Sequence, residues 1–139
     1  MKTFQLEILT PYGMYFKGEV EYLQVSSEDY TLGILPGHSP LISTLAVSTM
    51  IIKMFDQKIP YSIGGGIIRV EKEKVVLLLN SIERYDEIDF DRARSAKERA
   101  EERLRKLSLG EGVEIIDKQR VKDALTRAAN RIKLENYNK

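Results

Sequence analysis

Residues 87–107 read EIDFDRARSAKERAEERLRKL, and in this stretch the hydrophobic period of the chain changes. Ala93, Ala96, Ala100, Leu104 and Leu107 recur at spacings of three and four among strong helix formers, which is the pattern of an amphipathic helix. Asp89 stands where an N-cap carboxylate would accept from the first free backbone amides. Ile88 before it and Ala93 after it have the spacing of a hydrophobic staple. Downstream, Val121, Ala124, Leu125, Ala128 and Ile132 form a second stripe, opened in the same way by Ile116 and Asp117. Between the stripes, Ser108-Leu109-Gly110-Glu111-Gly112 offers two glycines for a chain reversal. The spacing therefore predicts an antiparallel two-helix hairpin over 85–139. Its stripe is rich in alanine, so the helices can approach closely while burying little area, and a movable hairpin is expected.

Upstream of the change the period is two. Phe4, Leu6 and Ile8 alternate with Gln5, Glu7 and Leu9, and Val20, Tyr22, Gln24 and Ser26 interleave with Glu21, Leu23 and Val25. Apolar runs follow at 47–55, 59–63, 67–70 and 75–79. Turn signals separate them at Pro11-Tyr12-Gly13, Asp56-Gln57-Lys58, Gly64-Gly65-Gly66 and Glu71-Lys72-Glu73. Many short strands without an intervening helix predict an antiparallel sandwich or barrel over 1–84.

Composition narrows the function classes. The chain has 139 residues, 42% of them hydrophobic, enough for a modest core. Twenty-two basic side chains face 21 acidic ones, so no net field favours a nucleic acid. The balance is uneven: residues 1–86 hold 8 basic and 10 acidic side chains, residues 87–139 hold 14 and 11. Without cysteine there is no disulfide, thiolate metal site or cysteine nucleophile. Met1 opens a strand-like segment and not a basic leader with an apolar core. No apolar run approaches the roughly 20 residues of a bilayer span. A soluble protein is expected, without direct membrane insertion.

Residues 32–41, Leu-Gly-Ile-Leu-Pro-Gly-His-Ser-Pro-Leu, resemble the Gly-Ile-Leu-Pro-Gly-His-x-Pro-Leu signature of the epsilon subunits of F-type ATP synthases. Leu6-Glu7-Ile8-Leu9-Thr10-Pro11-Tyr12-Gly13 is similar to that family's first strand and turn. Gly64-Gly65-Gly66 before Ile67-Ile68-Arg69-Val70 is similar to its Gly-Gly-x-x-x-Val strand. The resemblance implies an N-terminal β-sandwich that docks on the gamma subunit and the membrane rotor ring of c subunits. It implies a C-terminal hairpin that lies folded or extends toward the alpha/beta catalytic hexamer and inhibits ATP hydrolysis. The implied location is the cytoplasmic face of the plasma membrane, peripherally, in a proton- or sodium-translocating complex. Within the sandwich, the exposed turns carrying Glu28, Asp29, Pro36, Gly37, His38 and Ser39 are the expected docking residues.

Ile88-Asp89-Phe90-Asp91-Arg92-Ala93 further resembles the Ile/Leu-Asp-x-x-Arg-Ala motif with which some members of the family bind ATP in the folded hairpin. Capping alone also explains it, since Ile116-Asp117-Lys118-Gln119-Arg120-Val121 nearly repeats it. Arg92 and Arg99 lie two helical turns apart, and Arg127 and Arg131 one turn apart, so each pair shares a face. In an antiparallel hairpin the pairs fall near one another, and four guanidiniums repel unless an anion sits among them. The resemblance adds Glu83, Ile88, Asp89 and Ala93 around the adenine. The alternative is a solvated face in which Glu98, Glu101 and Glu102 balance the arginines.

No catalytic constellation accompanies these residues, so ATP would be a held regulatory ligand and no metal is required. The glycine triplet lacks the Lys-Ser/Thr order of a phosphate loop and leads into a strand, which favours a kink or tight turn. His38, the only histidine, cannot build a multi-histidine metal site and reads as a turn or interface residue. An arginine-rich nucleic-acid module remains the rival reading, but acids are interspersed and few aromatics are available for stacking.

Overall fold

The computed structural model describes residues 2–108 and 115–138. The chain divides into two compact units, 1–85 and 86–139. The first unit carries eight strands: β1 Phe4–Thr10, β2 Gly13–Val20, β3 Tyr22–Ser26, β4 Thr31–Ile34, β5 Leu41–Met54, β6 Gln57–Val70, β7 Lys74–Leu79 and β8 Ile82–Arg84. They run in the order β2-β1-β7-β6-β5-β3-β4, with β8 also on β6.

The long β5–β6 ribbon is what makes this a sandwich. Its two strands pair from Leu41↔Val70 to Met54↔Gln57. One half of β6 pairs with β7 (Gly66↔Leu79 to Val70↔Val75), and the other half pairs with β8 (Tyr61↔Arg84 to Ile63↔Ile82). The ribbon therefore belongs to both layers, and the bend between them falls at Gly64-Gly65-Gly66. There Gly65 has φ +87° and Gly66 φ +153°, conformations that favour glycine. The Gly64 amide donates to the Ser81 carbonyl at 3.0 Å and the Asn80 amide to Gly65 at 2.9 Å, so the β7–β8 connection follows the same corner. The triplet is thus a kink inside one 14-residue strand. Of the kink or tight turn that the glycine composition allows, the kink is the one observed, and the apolar runs 59–63 and 67–70 belong to one strand.

Other boundaries move for equally local reasons. The β5–β6 reversal sits on Phe55 and Asp56, both at positive φ (50° and 63°), and Gln57 and Lys58 already belong to β6. Strands β2, β4 and β8, which the periodicity did not mark, are short or largely exposed on both faces. One pair, β1 with β7, is parallel, in a sheet otherwise antiparallel. The core between the layers is built from the inward set of each strand. It includes Leu6, Ile8, Leu23, Val25, Met50, Ile52, Ile63, Ile68 and Leu77, all nearly inaccessible.

In the second unit α1 spans Phe90–Ser108 and α2 spans Ile115–Ile132, followed by a short 3₁₀ helix Glu135–Asn138. The two α-helices pack on each other, and Ala93, Ala100, Val121 and Ala128 on them are buried. Asp89 caps α1: its carboxylate accepts from the Arg92 amide at 3.0 Å, and its carbonyl accepts from Ala93 at 3.0 Å. Ile88 and Ala93, the expected staple, are both buried. The glycine turn at Gly110 and Gly112 and the Ile116-Asp117 cap lie outside the residues and side chains described. Replacing Asp89 with Ala should cost the helical unit about 1 kcal/mol. That cost is expected as lower amide-exchange protection confined to the first turn of α1, with the sandwich strands unchanged.

Candidate functional site

The expected docking turns fall at the two ends of β4. At one end Ser27 organises the Ser27–Tyr30 turn: its hydroxyl accepts from the amides of Asp29 (3.2 Å) and Tyr30 (3.1 Å), leaving Glu28 and Asp29 exposed. At the other end Leu35-Pro36-Gly37-His38 closes with the His38 amide on the Leu35 carbonyl at 3.1 Å. Gly37 there takes φ +83°, as the third residue of a type II turn with proline second requires. His38 Nδ1 lies 2.7 Å from the Ser39 carbonyl oxygen, so backbone satisfies the ring. Four residues of strand, about 13 Å, separate the two turns.

A different surface of the sandwich is apolar. Thr44, Ile67, Leu78, Leu9 and Met14 stand in one row, each opposite the next across β5, β6, β7, β1 and β2. Ile8, Leu45, Ile68, Leu77 and Leu79, the alternate residues on β1, β5, β6 and β7, are buried in the core, so this row faces outward. Ile67, Leu78 and Met14 are 43%, 49% and 51% exposed, and Ile42 beside them is 73% exposed. Single exposed apolar residues are ordinary, but a contiguous row marks a surface that something covers. Periodicity does not reveal the row: Ile67 and Leu78 fall inside the apolar runs 67–70 and 75–79, Leu9 stands among the polar residues of β1, and only cross-strand register aligns them.

In the helical unit, Ala93 is buried while Arg92, Arg99 and Arg127 are exposed and Arg131 is half-buried. Glu83 is on β8 in the other unit. Between α1 and α2 runs an open groove of about 490 Å³, lined by Arg99, Arg103 and Arg120 over Ala96, Ala100, Val121 and Ala124. Small side chains on the floor let the long guanidinium arms fold over it. The groove thus gathers Arg99 of the expected set with two arginines that the sequence reading did not select. Their proximity depends on the register of the hairpin, which helical spacing within each helix does not give.

Arg94 has a different task. Its guanidinium donates to both carboxylate oxygens of Glu135, at 2.7 and 2.6 Å, and also to Asp91. The start of α1 is thereby tied to the 3₁₀ helix after α2. The Glu135 and Asp91 bonds push the Arg94 pKa up from its ordinary value, so this tie keeps its charge at any pH the protein meets. Farther along, Arg105 donates to Glu102 at 2.6 and 2.8 Å and holds that carboxyl below its ordinary value. A depressed carboxylate stabilises the fold above its unfolded pKa and loses that contribution as pH falls through the folded one. The pair is solvent-exposed, so the effect is small. Among the described residues no group of three or more His, Cys, Asp or Glu side chains could hold a metal ion. No helix there is long and apolar enough to cross a membrane.

Both units match known domains. Residues 3–85 match the beta-sandwich domain of the ATP synthase delta/epsilon chain, and residues 86–134 match its long alpha-helix domain. The chain belongs to the epsilon-chain family of F-type ATP synthases. The ATP synthase epsilon chain of Desulforamulus reducens is 39% identical over 132 residues, covering 95% of this chain and 96% of the relative. That of Bacillus cytotoxicus is 38% identical over 136 residues, covering 98% of each. Among solved structures, a chain of the Euglena gracilis mitochondrial ATP synthase, in an OSCP/F1/c-ring structure, shares the fold. Its TM-score is 0.79 at 18% identity, over 99% of this chain and 82% of that one. A chain of the Tetrahymena thermophila mitochondrial ATP synthase central stalk and c-ring aligns with a TM-score of 0.62 at 13% identity, over 93% of each.

Membership in the epsilon family makes this chain a subunit of the central stalk of the ATP synthase complex. The β-sandwich followed by a helical hairpin, expected from the signature at residues 32–41, is the fold observed.

Proposed function

We propose that this epsilon chain is a non-catalytic rotor subunit whose hairpin inhibits ATP hydrolysis when extended and is kept folded by bound, unhydrolysed ATP. The observation that carries this reading is the thin hairpin seam. Among the described residues, the buried apolar positions on the facing helices are alanines and one valine, so the folded state holds little apolar area and a modest ligand can decide its population. Arg92, Arg99, Arg127 and Arg131, with Glu83, Ile88, Asp89 and Ala93, are the residues assigned to the nucleotide. The outward row of Leu9, Met14, Ile67 and Leu78 supports docking of the sandwich on the gamma subunit. The polar turns bearing Glu28, Asp29 and Pro36–Ser39 are assigned to the ring of c subunits, and the extended hairpin to the alpha/beta hexamer. The coupled ion is a proton or sodium, and the complex lies at the cytoplasmic face of the plasma membrane.

Calorimetric titration of the full chain with ATP tests the regulatory part. Saturable binding is expected, weakened at least about tenfold when Arg92→Ala and Arg127→Ala are combined, since each removes a charge-assisted contact. Undiminished binding in that variant, or none by the parent chain at millimolar ATP, overturns the assignment.

A further inference from the structure

We infer that the groove between α1 and α2 is a phosphate-binding site of its own, built from Arg99, Arg103 and Arg120 and able to take inorganic pyrophosphate or orthophosphate without a nucleoside. It goes beyond the nucleotide reading, with which it shares only Arg99.

Three observations carry it. The three arginines, drawn from both helices, line one groove of about 490 Å³. Second, none of them has a carboxylate partner among the described residues, whereas Arg94 and Arg105 are each paired. The acids on the outer flank of Arg99 and Arg103 are Glu98 and Glu102, and Glu102 is already held by Arg105. Three like charges around one opening raise the energy of the empty folded hairpin, and an anion reverses that sign. Third, the floor is Ala96, Ala100, Val121 and Ala124, which has no hydrogen-bonding side chain and no aromatic face. Such a floor gives a base or sugar no hydrogen-bonding or stacking partner, while planar guanidinium forks suit tetrahedral phosphate oxygens. Because the arginines come from two helices, an anion bridging them would also hold the hairpin closed.

The test is calorimetry on the full chain at low ionic strength, titrating sodium pyrophosphate, sodium orthophosphate and ATP in turn. The parent is compared with the Arg103→Gln, Arg120→Gln double variant. Both side chains are exposed, so the variant should fold, which its melting curve checks. Pyrophosphate should bind saturably and more tightly than orthophosphate, and the variant should lose at least about tenfold in pyrophosphate affinity while binding ATP within twofold of the parent. A parent chain that binds pyrophosphate but not ATP keeps this site and removes the nucleotide reading. The site is overturned if pyrophosphate gives no saturable heat or if the variant binds it as the parent does. Loss of pyrophosphate and ATP together also overturns it, since the groove would then be the nucleotide's own phosphate pocket.

Discussion

Gly66→Ala should prevent the sandwich from folding stably, with a loss of about 4 kcal/mol or more. A Cβ at this position would lie 2.0 Å from the Leu78 carbonyl oxygen and 2.9 Å from the Leu79 Cα, both backbone atoms of the paired strand. Neither can move without breaking the β6–β7 ladder on which one layer depends. The φ of +153° adds a conformation that alanine rarely adopts. Gly13→Ala serves as the control. Its φ is also positive, at +117°, but nothing lies within 4 Å of the added methyl, so only backbone strain of about 1 kcal/mol is expected. Urea unfolding of the two variants separates clash from strain. A Gly66→Ala midpoint no lower than that of Gly13→Ala would show that the corner relaxes and that close backbone approach does not define it.

Leu134→Ala should shift the hairpin toward its open state by an order of magnitude or more. Leu134 is 1% exposed and, with Ile88, is one of two large aliphatic side chains buried among the described residues of the helical unit, the other buried apolar ones being alanines and a valine. Deleting a buried leucine side chain costs about 2–5 kcal/mol. Two kcal/mol is already on the order of thirtyfold in an opening equilibrium. The tie from Arg94 to Glu135, next in the chain, loses its anchor at the same time. Because the chain contains no cysteine, Ser95→Cys and Thr126→Cys give a clean pair of spin-label sites on exposed positions of α1 and α2. The label distance distribution should gain a long component in the Leu134→Ala background and lose it again in saturating ATP. An unchanged distribution would mean that the seam alone keeps the helices together.

What the sequence disclosed follows the range of the interactions involved. Alternation at Phe4, Leu6 and Ile8 and the alanine stripe of α1 are set by residues within a turn or a strand of each other, and both elements lie where periodicity puts them. The Asp89 cap is three residues long and equally legible. Long-range pairings were not. Arg94 meets Glu135 at a separation of 41 residues, and each alone is an unremarkable charge on a charged helix. Arg103 and Arg120 join Arg99 only through hairpin register. Gly64-Gly65-Gly66 marks the bend, but whether it kinks or ends the strand is decided by hydrogen bonding, which carries β6 through the corner.

The parallel pairing of β1 with β7 has a consequence for how the chain reaches its fold. Gln5 waits for Lys74 and Leu9 for Leu78, whereas the β5–β6 ribbon joins neighbours in sequence. Closing so distant a pair is entropically slow compared with forming a hairpin. During synthesis β1 and β2 therefore leave the ribosome early and remain an unclosed apolar ribbon until residue 79 is available. The sandwich is completed almost at the moment the first residues of α1 emerge. A nascent epsilon chain stalled before that point would present its oldest strands as its most aggregation-prone ones.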